Sequence, residues 1–225
     1  MPTQDANRIG YIVGTGGANQ AAARDATSGT ATDSASANFA YAVQWYRASG
    51  GRGGGTYRYT RTFFHFDTSG ITDTLSACDL TVVGYSMTSA DVIVIKSTAF
   101  GGDGGTALAS GDMDSVDFTT AYSAENSSWS TSGNTLPLNA AALADIKDND
   151  DFTVALVEYD SDYLDTDTAD MQIHAGIKFG TTYITLDYTV DSATGYTHDV
   201  SGVGFADIGK VTDVATANIG KIINT

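Results

Sequence analysis

The strongest constraint on this chain is a two-residue alternation of apolar and polar side chains that recurs from about residue 37 onward. At 182–190, Ile184, Leu186, Tyr188 and Val190 fall on one side, and Tyr183, Thr185, Asp187 and Thr189 on the other. A period of two puts alternate side chains on opposite faces of a strand and does not fit the 3.6-residue repeat of a helix. Phe39, Tyr41, Val43 and Trp45 repeat the pattern against Ala40, Ala42 and Gln44, until the glycine-rich stretch 49–55 breaks it. Further strands are expected at 57–66, 75–85, 91–98, 121–130, 151–159 and 171–179. About eight short strands separated by Gly-, Asp- and Ser-rich turns predict an all-β fold, a jelly-roll β-sandwich. The acidic residues agree: among 27 Asp and Glu only Glu125 and Glu158 are Glu. Asp favours turns and caps, where Glu favours helices.

One short helix is expected over 140–146. Asn139 can cap its N-terminus, Leu143 and Ile146 lie three apart on one face, and Lys147 sits at the end that favours a cation. The flanks differ in texture. Residues 1–36, rich in Ala, Thr, Ser and Gly, read as an extended N-terminal arm, ordered only where it lies on something else. The sandwich is expected over 37–190. A C-terminal tail over 191–225 carries an eleven-residue repeat, in which Ile208-Gly209-Lys210-Val211 returns as Ile219-Gly220-Lys221-Ile222. Two such units are too few for a solenoid and suit a docking strip whose spaced Val and Ile meet a partner surface.

Charge narrows the function. The net charge is −16, and it is unevenly placed: six Arg and three Asp leave residues 1–61 at +3, and the remainder carries −19. A nucleic-acid binder presents a basic face, which the main body lacks. No run of about eighteen apolar residues is present to span a bilayer, and the Met1-Pro2-Thr3-Gln4-Asp5 start has no secretory-signal pattern. A single cysteine, Cys78, allows no internal disulfide and reads as a small buried apolar residue.

Catalytic patterns are weak. The run Ile12-Val13-Gly14-Thr15-Gly16-Gly17-Ala18-Asn19 resembles a dinucleotide loop only briefly, because Asn19 replaces the third glycine and no βαβ unit follows. His65, His174 and His198 are not at metal-ligand spacing, and His65 and His174 read as strand residues. No serine sits in a nucleophile elbow. The acid-rich loop after 151–159 is the better chemistry: Asp160, Asp162, Asp165 and Asp167 form a candidate Ca²⁺ set, without EF-hand spacing, and solvated loops are the alternative. No other cofactor is expected. Tyr41, Trp45, Tyr46, Tyr57 and Tyr59 could fill a core or interface, or form a sugar-stacking platform, with Trp45 and Trp129 as candidate glycan contacts.

The stretch Arg61-Thr62-Phe63-Phe64-His65-Phe66-Asp67-Thr68-Ser69-Gly70-Ile71, followed by Leu75-Ser76-Ala77-Cys78-Asp79-Leu80, resembles jelly-roll domains of tailed, marine-type bacteriophage particle proteins. Thr135-Leu136-Pro137-Leu138-Asn139, the 142–146 segment and the closing Ile184–Thr189 run fit the same layout, and the Ile-Gly-Lys-Val repeat is similar to short tails of phage structural proteins. The resemblance spans roughly 55–222 and carries no catalytic residues. It implies a non-enzymatic virion protein, a capsid decoration (cement) protein or a tail appendage. Its expected partners are the major capsid protein or other virion proteins and further copies of itself, a trimer being one option, with neither nucleic acid nor membrane. Contacts that exist only in the assembled particle would stabilise it by mass action. The expected contact residues are Val203, Ile208, Lys210, Val214, Ile219 and Lys221 in the tail, with Arg8 and Arg24 in the arm. The alternative function is a carbohydrate-binding adhesin that recognises a host-surface glycan.

Overall fold

The computed structural model describes residues 1–33, 39–50, 54–88, 91–168, 172–178, 183–191, 210–211 and 214–215, the side chains of 39–50, 54, 172 and the last two pairs excepted. The chain divides into two compact units, Met1–Thr189 and Val190–Thr225.

The first unit is an antiparallel, sandwich-like β fold. Its strands are β1 (Thr3–Asp5), β2 (Arg8–Gly14), β3 (Gly29–Asp33), β4 (Phe39–Gly50), β5 (Gly54–Asp67), β6 (Leu75–Thr88), β7 (Val92–Ser97), β8 (Val116–Ala121), β9 (Gly133–Pro137), β10 (Asp151–Glu158), β11 (Gln172–Lys178) and β12 (Ile184–Val190), the last ending one residue into the second unit. Two helices interrupt them, α1 (Gln20–Arg24) and α2 (Ala140–Asp148). The pairing runs β1-β12-β6-β11-β4-β5-β10-β7-β8, with β2 joining β3 to β5 and β9 added to β6.

Strand β5 organises the body. It pairs with β4 from Gly54 to Thr60, with β10 from Thr62 to Asp67 and with β2 from Thr60 to His65. Every residue from Tyr59 to Phe66 is buried, whichever face it occupies, so both faces of this strand are covered. β6 plays the second linking role. Its first half pairs with β9, in the register Asp79↔Pro137 to Val83↔Gly133. Its second half pairs with β11, in the register Thr88↔His174 to Gly84↔Ile177. Between these elements sits an apolar core in which Phe152 packs against Tyr122 (5.3 Å between ring centroids) and Phe66 (6.4 Å).

The short helix forms where expected. The Asn139 side chain accepts hydrogen bonds from the Ala141 and Ala142 amides, Lys147 lies in the last turn, and Ala142 and Ile146 are its buried residues. That face packs on β6 and β10, which supplies the stability that a nine-residue helix lacks alone. Ile184 and Leu186 are fully buried, on the face the alternation assigned them.

Two expectations need correction. Residues 1–33 are not an arm: β2 is a paired interior strand with Ile9 and Ile12 at most 1% exposed. The Gly- and Ala-rich loop after it enters α1, whose N-cap Asn19 accepts from Ala22 N at 2.8 Å. The strand expected at 121–130 is replaced by β8 and β9 on either side of an irregular segment. Strands also occupy described residues within the other stretches expected to be extended, β5 and β6 reaching 14 residues each.

The loop after β7 holds the left-handed backbone. Phe100, Gly101, Gly102 and Gly104 all have positive φ. Gly104 lies against the His65 ring, so that a Cβ there would sit 2.5 Å from His65 Cε1. Cys78 is 2% exposed, and burial pushes its thiol up to about 12. Among the described residues no helix is long and apolar enough to cross a membrane.

The described part of the second unit is a small antiparallel hairpin between β13 (Lys210–Val211) and β14 (Val214–Ala215). The hairpin joins the end of the first repeat to the start of the second.

Candidate functional site

The site begins with a charged residue inside an otherwise apolar strand. Arg61 of β5 is 2% exposed, and a buried guanidinium is tolerated only where its donors are satisfied. Its counter-ion comes from the tight turn Tyr159–Tyr163 that follows β10. Glu158 builds that turn, accepting hydrogen bonds from the amides of Asp160 (3.2 Å), Ser161 (2.6 Å) and Asp162 (3.3 Å) and from the Ser161 hydroxyl. Burial pushes the Glu158 pKa up, and these four donors oppose that shift. The turn thereby delivers Asp162 to Arg61. Arg61 Nε donates to Asp162 Oδ2 at 2.9 Å and Nη2 to Oδ1 at 2.7 Å, a bidentate fork. Nη1 donates to the Met113 carbonyl at 2.7 Å and Nη2 to the Arg24 carbonyl at 2.9 Å. Phe118 of β8 lies against the guanidinium, 4.8 Å from ring centroid to Cζ.

Arg24, at the end of α1, forms the second wall. Its Nε donates to Asp165 Oδ1 at 2.8 Å and its Nη1 to Asp167 Oδ1 at 2.7 Å. Burial alone would lower its pKa, but interactions with Asp167, Tyr59 and Asp165 outweigh burial and raise it. Asp165 adopts a left-handed φ of 52°. Together Arg24, Asp25, Arg61, Phe118, Asp162, Tyr163 and Asp165 line a cleft of about 250 Å³. Tyr163 stacks on Tyr159 at 5.6 Å and is tilted 42° to Phe118 at 6.5 Å. The walls of the cleft offer arginines, carboxylates and aromatic faces.

A smaller cleft of about 130 Å³ lies beside β7 and β10. There Lys96 Nζ donates to Asp145 Oδ2 at 2.7 Å, and the Tyr122 hydroxyl donates to the same oxygen. Burial works to raise the Asp145 pKa, but the Lys96 and Tyr122 bonds prevail and lower it. Burial and Asp145 together raise that of Tyr122. At the rim, Asp151 meets His65 Nε2 at 3.1 Å, and His65 Nδ1 lies 2.6 Å from Asn7 Oδ1. Burial lowers the His65 pKa against the pull of Asp151. At 1% exposure His65 ties the N-terminal segment to β5 and β10.

The structure separates most of the residues singled out from sequence. The four aspartates of the candidate Ca²⁺ set do not converge: Asp162 serves Arg61, Asp165 and Asp167 serve Arg24, and Asp160 faces Asp91, whose pKa burial and that neighbour raise. Among the described residues no group of three or more His, Cys, Asp or Glu is placed to hold a metal ion. Arg24 is 7% exposed and bonded to Asp165 and Asp167; Arg8, with its side chain 38% exposed, donates to the Gly104 carbonyl at 3.1 Å and lies 3.8 Å from Asp33. Trp129 is 3% exposed, too buried to stack on a glycan, and the side chain of Trp45 lies outside the description. Lys210 pairs with Ala215, and Val214 with Val211, between β13 and β14; Val203, Ile208, Ile219, Lys221 and His198 lie outside the described residues. Asp25, Arg61, Phe118 and Tyr163 were missed as a set. The one signal in the sequence was an arginine within an aromatic, alternating strand.

No protein-family model matches the chain, and a comparison with curated proteins finds no match either.

Proposed function

We infer that the chain is a non-enzymatic structural protein of a tailed-phage virion, a jelly-roll-type sandwich fastened to the particle by its C-terminal unit as a capsid decoration protein. The observation that carries this reading is the division at residue 189–190, which sets the Ile-Gly-Lys-Val repeat apart from the body as a unit of its own. Donors of Arg8, Arg24 and Arg61 bond within the body, which favours attachment through Val203, Ile208, Lys210, Val214, Ile219 and Lys221. The acidic remainder then faces solvent, consistent with a particle surface that resists non-specific association.

The test is incorporation into particles. Full-length protein carrying Ile208→Asp and Ile219→Asp together should keep the thermal midpoint of the parent and lose co-sedimentation with phage capsids. Equal incorporation of parent and variant would refute attachment through the repeat. Recovery of the parent on purified tails but not on capsids would reassign it to a tail appendage.

A further inference from the structure

We propose that the cleft between α1, β8 and the 159–165 turn is a binding site for a single neutral pyranose ring. This goes beyond the attachment role, which uses the other unit. Volume sets the size of the ligand: about 250 Å³ falls just below the roughly 300–1,000 Å³ of pockets for drug-sized molecules, enough for one ring with its substituents in solvent.

Charge sets its sign. The walls carry Arg24 and Arg61 against Asp25, Asp162 and Asp165, with Asp167 also bonded to Arg24. An anion would have to displace Asp162 from a bidentate pair whose side chains are 3% and 1% exposed, or Asp165 and Asp167 from Arg24. It would enter a field that is already negative. A neutral hydroxyl needs no such exchange. Asp25 is exposed and has no side-chain partner among the described residues, and a carboxylate oxygen has lone pairs beyond those used by one arginine. Arg61 has five N–H groups and spends four on Asp162, Met113 and Arg24. The remaining donor and the outer carboxylate lone pairs match the mixed donor–acceptor character of ring hydroxyls.

Shape selects the ring. Phe118 and Tyr163 are both half-buried and inclined to each other at 42°. Tyr163 has one face covered by Tyr159, and Phe118 carries the Arg61 guanidinium. The two rings present an apolar wedge beside a row of carboxylates, so a ligand must be apolar on one face and hydroxylated at its edge. A pyranose has that form. Asp162 and Asp165 are already held by arginines and the turn by Glu158, so little ordering of these groups is needed on binding.

The test is saturation-transfer NMR on the full chain with a panel of methyl pyranosides at roughly millimolar concentration, the range a small, partly exposed ligand reaches. The panel contains neutral hexosides, a 6-deoxyhexoside, an N-acetylhexosaminide and a uronic acid. We expect at least one neutral pyranoside to bind and the uronic acid to bind more weakly. Tyr163→Ala should weaken the neutral ligand about tenfold, the order of one aromatic contact. Asp25→Ala, a surface change that keeps the thermal midpoint, should weaken it severalfold. The proposal is overturned if no neutral pyranoside binds, if the uronic acid binds more tightly, or if binding survives both substitutions. Capsid incorporation is unaffected in any of these outcomes.

Discussion

Replacing Asp162 by Asn should cost this protein far more than the same change at Asp165, although both aspartates pair with an arginine at 2.7–2.8 Å. The difference is solvent. The Arg61 and Asp162 side chains are 3% and 1% exposed, so Asp162→Asn leaves a guanidinium in the interior without its counter-ion, held by the Met113 and Arg24 carbonyls, the Phe118 ring and one amide oxygen. Breaking a buried pair from one side costs about 3–5 kcal/mol. In a body of this size about 2–4 °C of melting temperature follows each kcal/mol, giving a loss of roughly 10 °C. Asp165 is 77% exposed, and an exposed pair contributes about 1 kcal/mol or less. Guanidinium chloride unfolding of parent, Asp162→Asn, Asp165→Asn and the double replacement Arg61→Met/Asp162→Leu would measure this. Constant m-values would show that only stability moved. The double replacement removes both charges together and should lose less than Asp162→Asn alone. If Asp162→Asn cost no more than Asp165→Asn, the floor of the cleft would be hydrated and the reasoning would fail.

Other consequences are as direct. Ile12→Ala, in a segment whose composition reads as an arm, should lose about 2–5 kcal/mol in the same unfolding assay, the cost of an aliphatic core truncation; a neutral result would mean β2 contributes nothing to the core. Gly104→Ala should destabilise markedly more than Gly102→Ala. Both have left-handed φ, but only at Gly104 would the new Cβ meet His65, whereas nothing lies within 4 Å at Gly102; equal melting temperatures would contradict this packing. His65 has its pKa lowered below the ordinary 6.5 by burial, so the unfolded chain binds its proton first. Its contribution to stability is present above pH 6.5 and is lost as pH falls from there toward the depressed native value. His65→Gln should reduce that slope, leaving the one that burial of His174 produces in the same direction. Native Cys78 should resist a thiol reagent such as dithionitrobenzoate and react only on unfolding, since it is buried and its pKa is pushed up to about 12.

Local signals in the sequence carried the parts of the fold that depend on local physics. Asn139 with the alanine run specified α2, and the alternation at Ile184–Val190 assigned the buried side of β12. Tertiary pairing decided the rest. β2 and β3 contain glycine, threonine and alanine in a texture that also suits a linker, and β2 is buried through its neighbours β3, β5 and the 110–114 turn. Trp129 was legible as an aromatic but not as a buried one. The cleft was the least legible feature, because Arg61 and Asp162 stand 101 residues apart and no local pattern pairs them. A charged side chain inside an apolar strand demands a counter-ion, but twenty-seven acidic residues could have supplied it.

Strand β5 also has a consequence for how the chain is made. Its hydrogen-bonding partners begin at Arg8 and end with Leu156, so it leaves the ribosome long before its second edge can be filled. At about 5–20 residues per second, the roughly ninety residues separating β5 from β10 take on the order of 5–20 s to synthesise. Throughout that interval Phe63, Phe64 and Phe66 belong to an unfinished strand of the kind that joins foreign edges. Cooler expression that slows aggregation relative to release, or a holdase that covers this one segment, should therefore raise the yield of native protein more than any change to the finished surface.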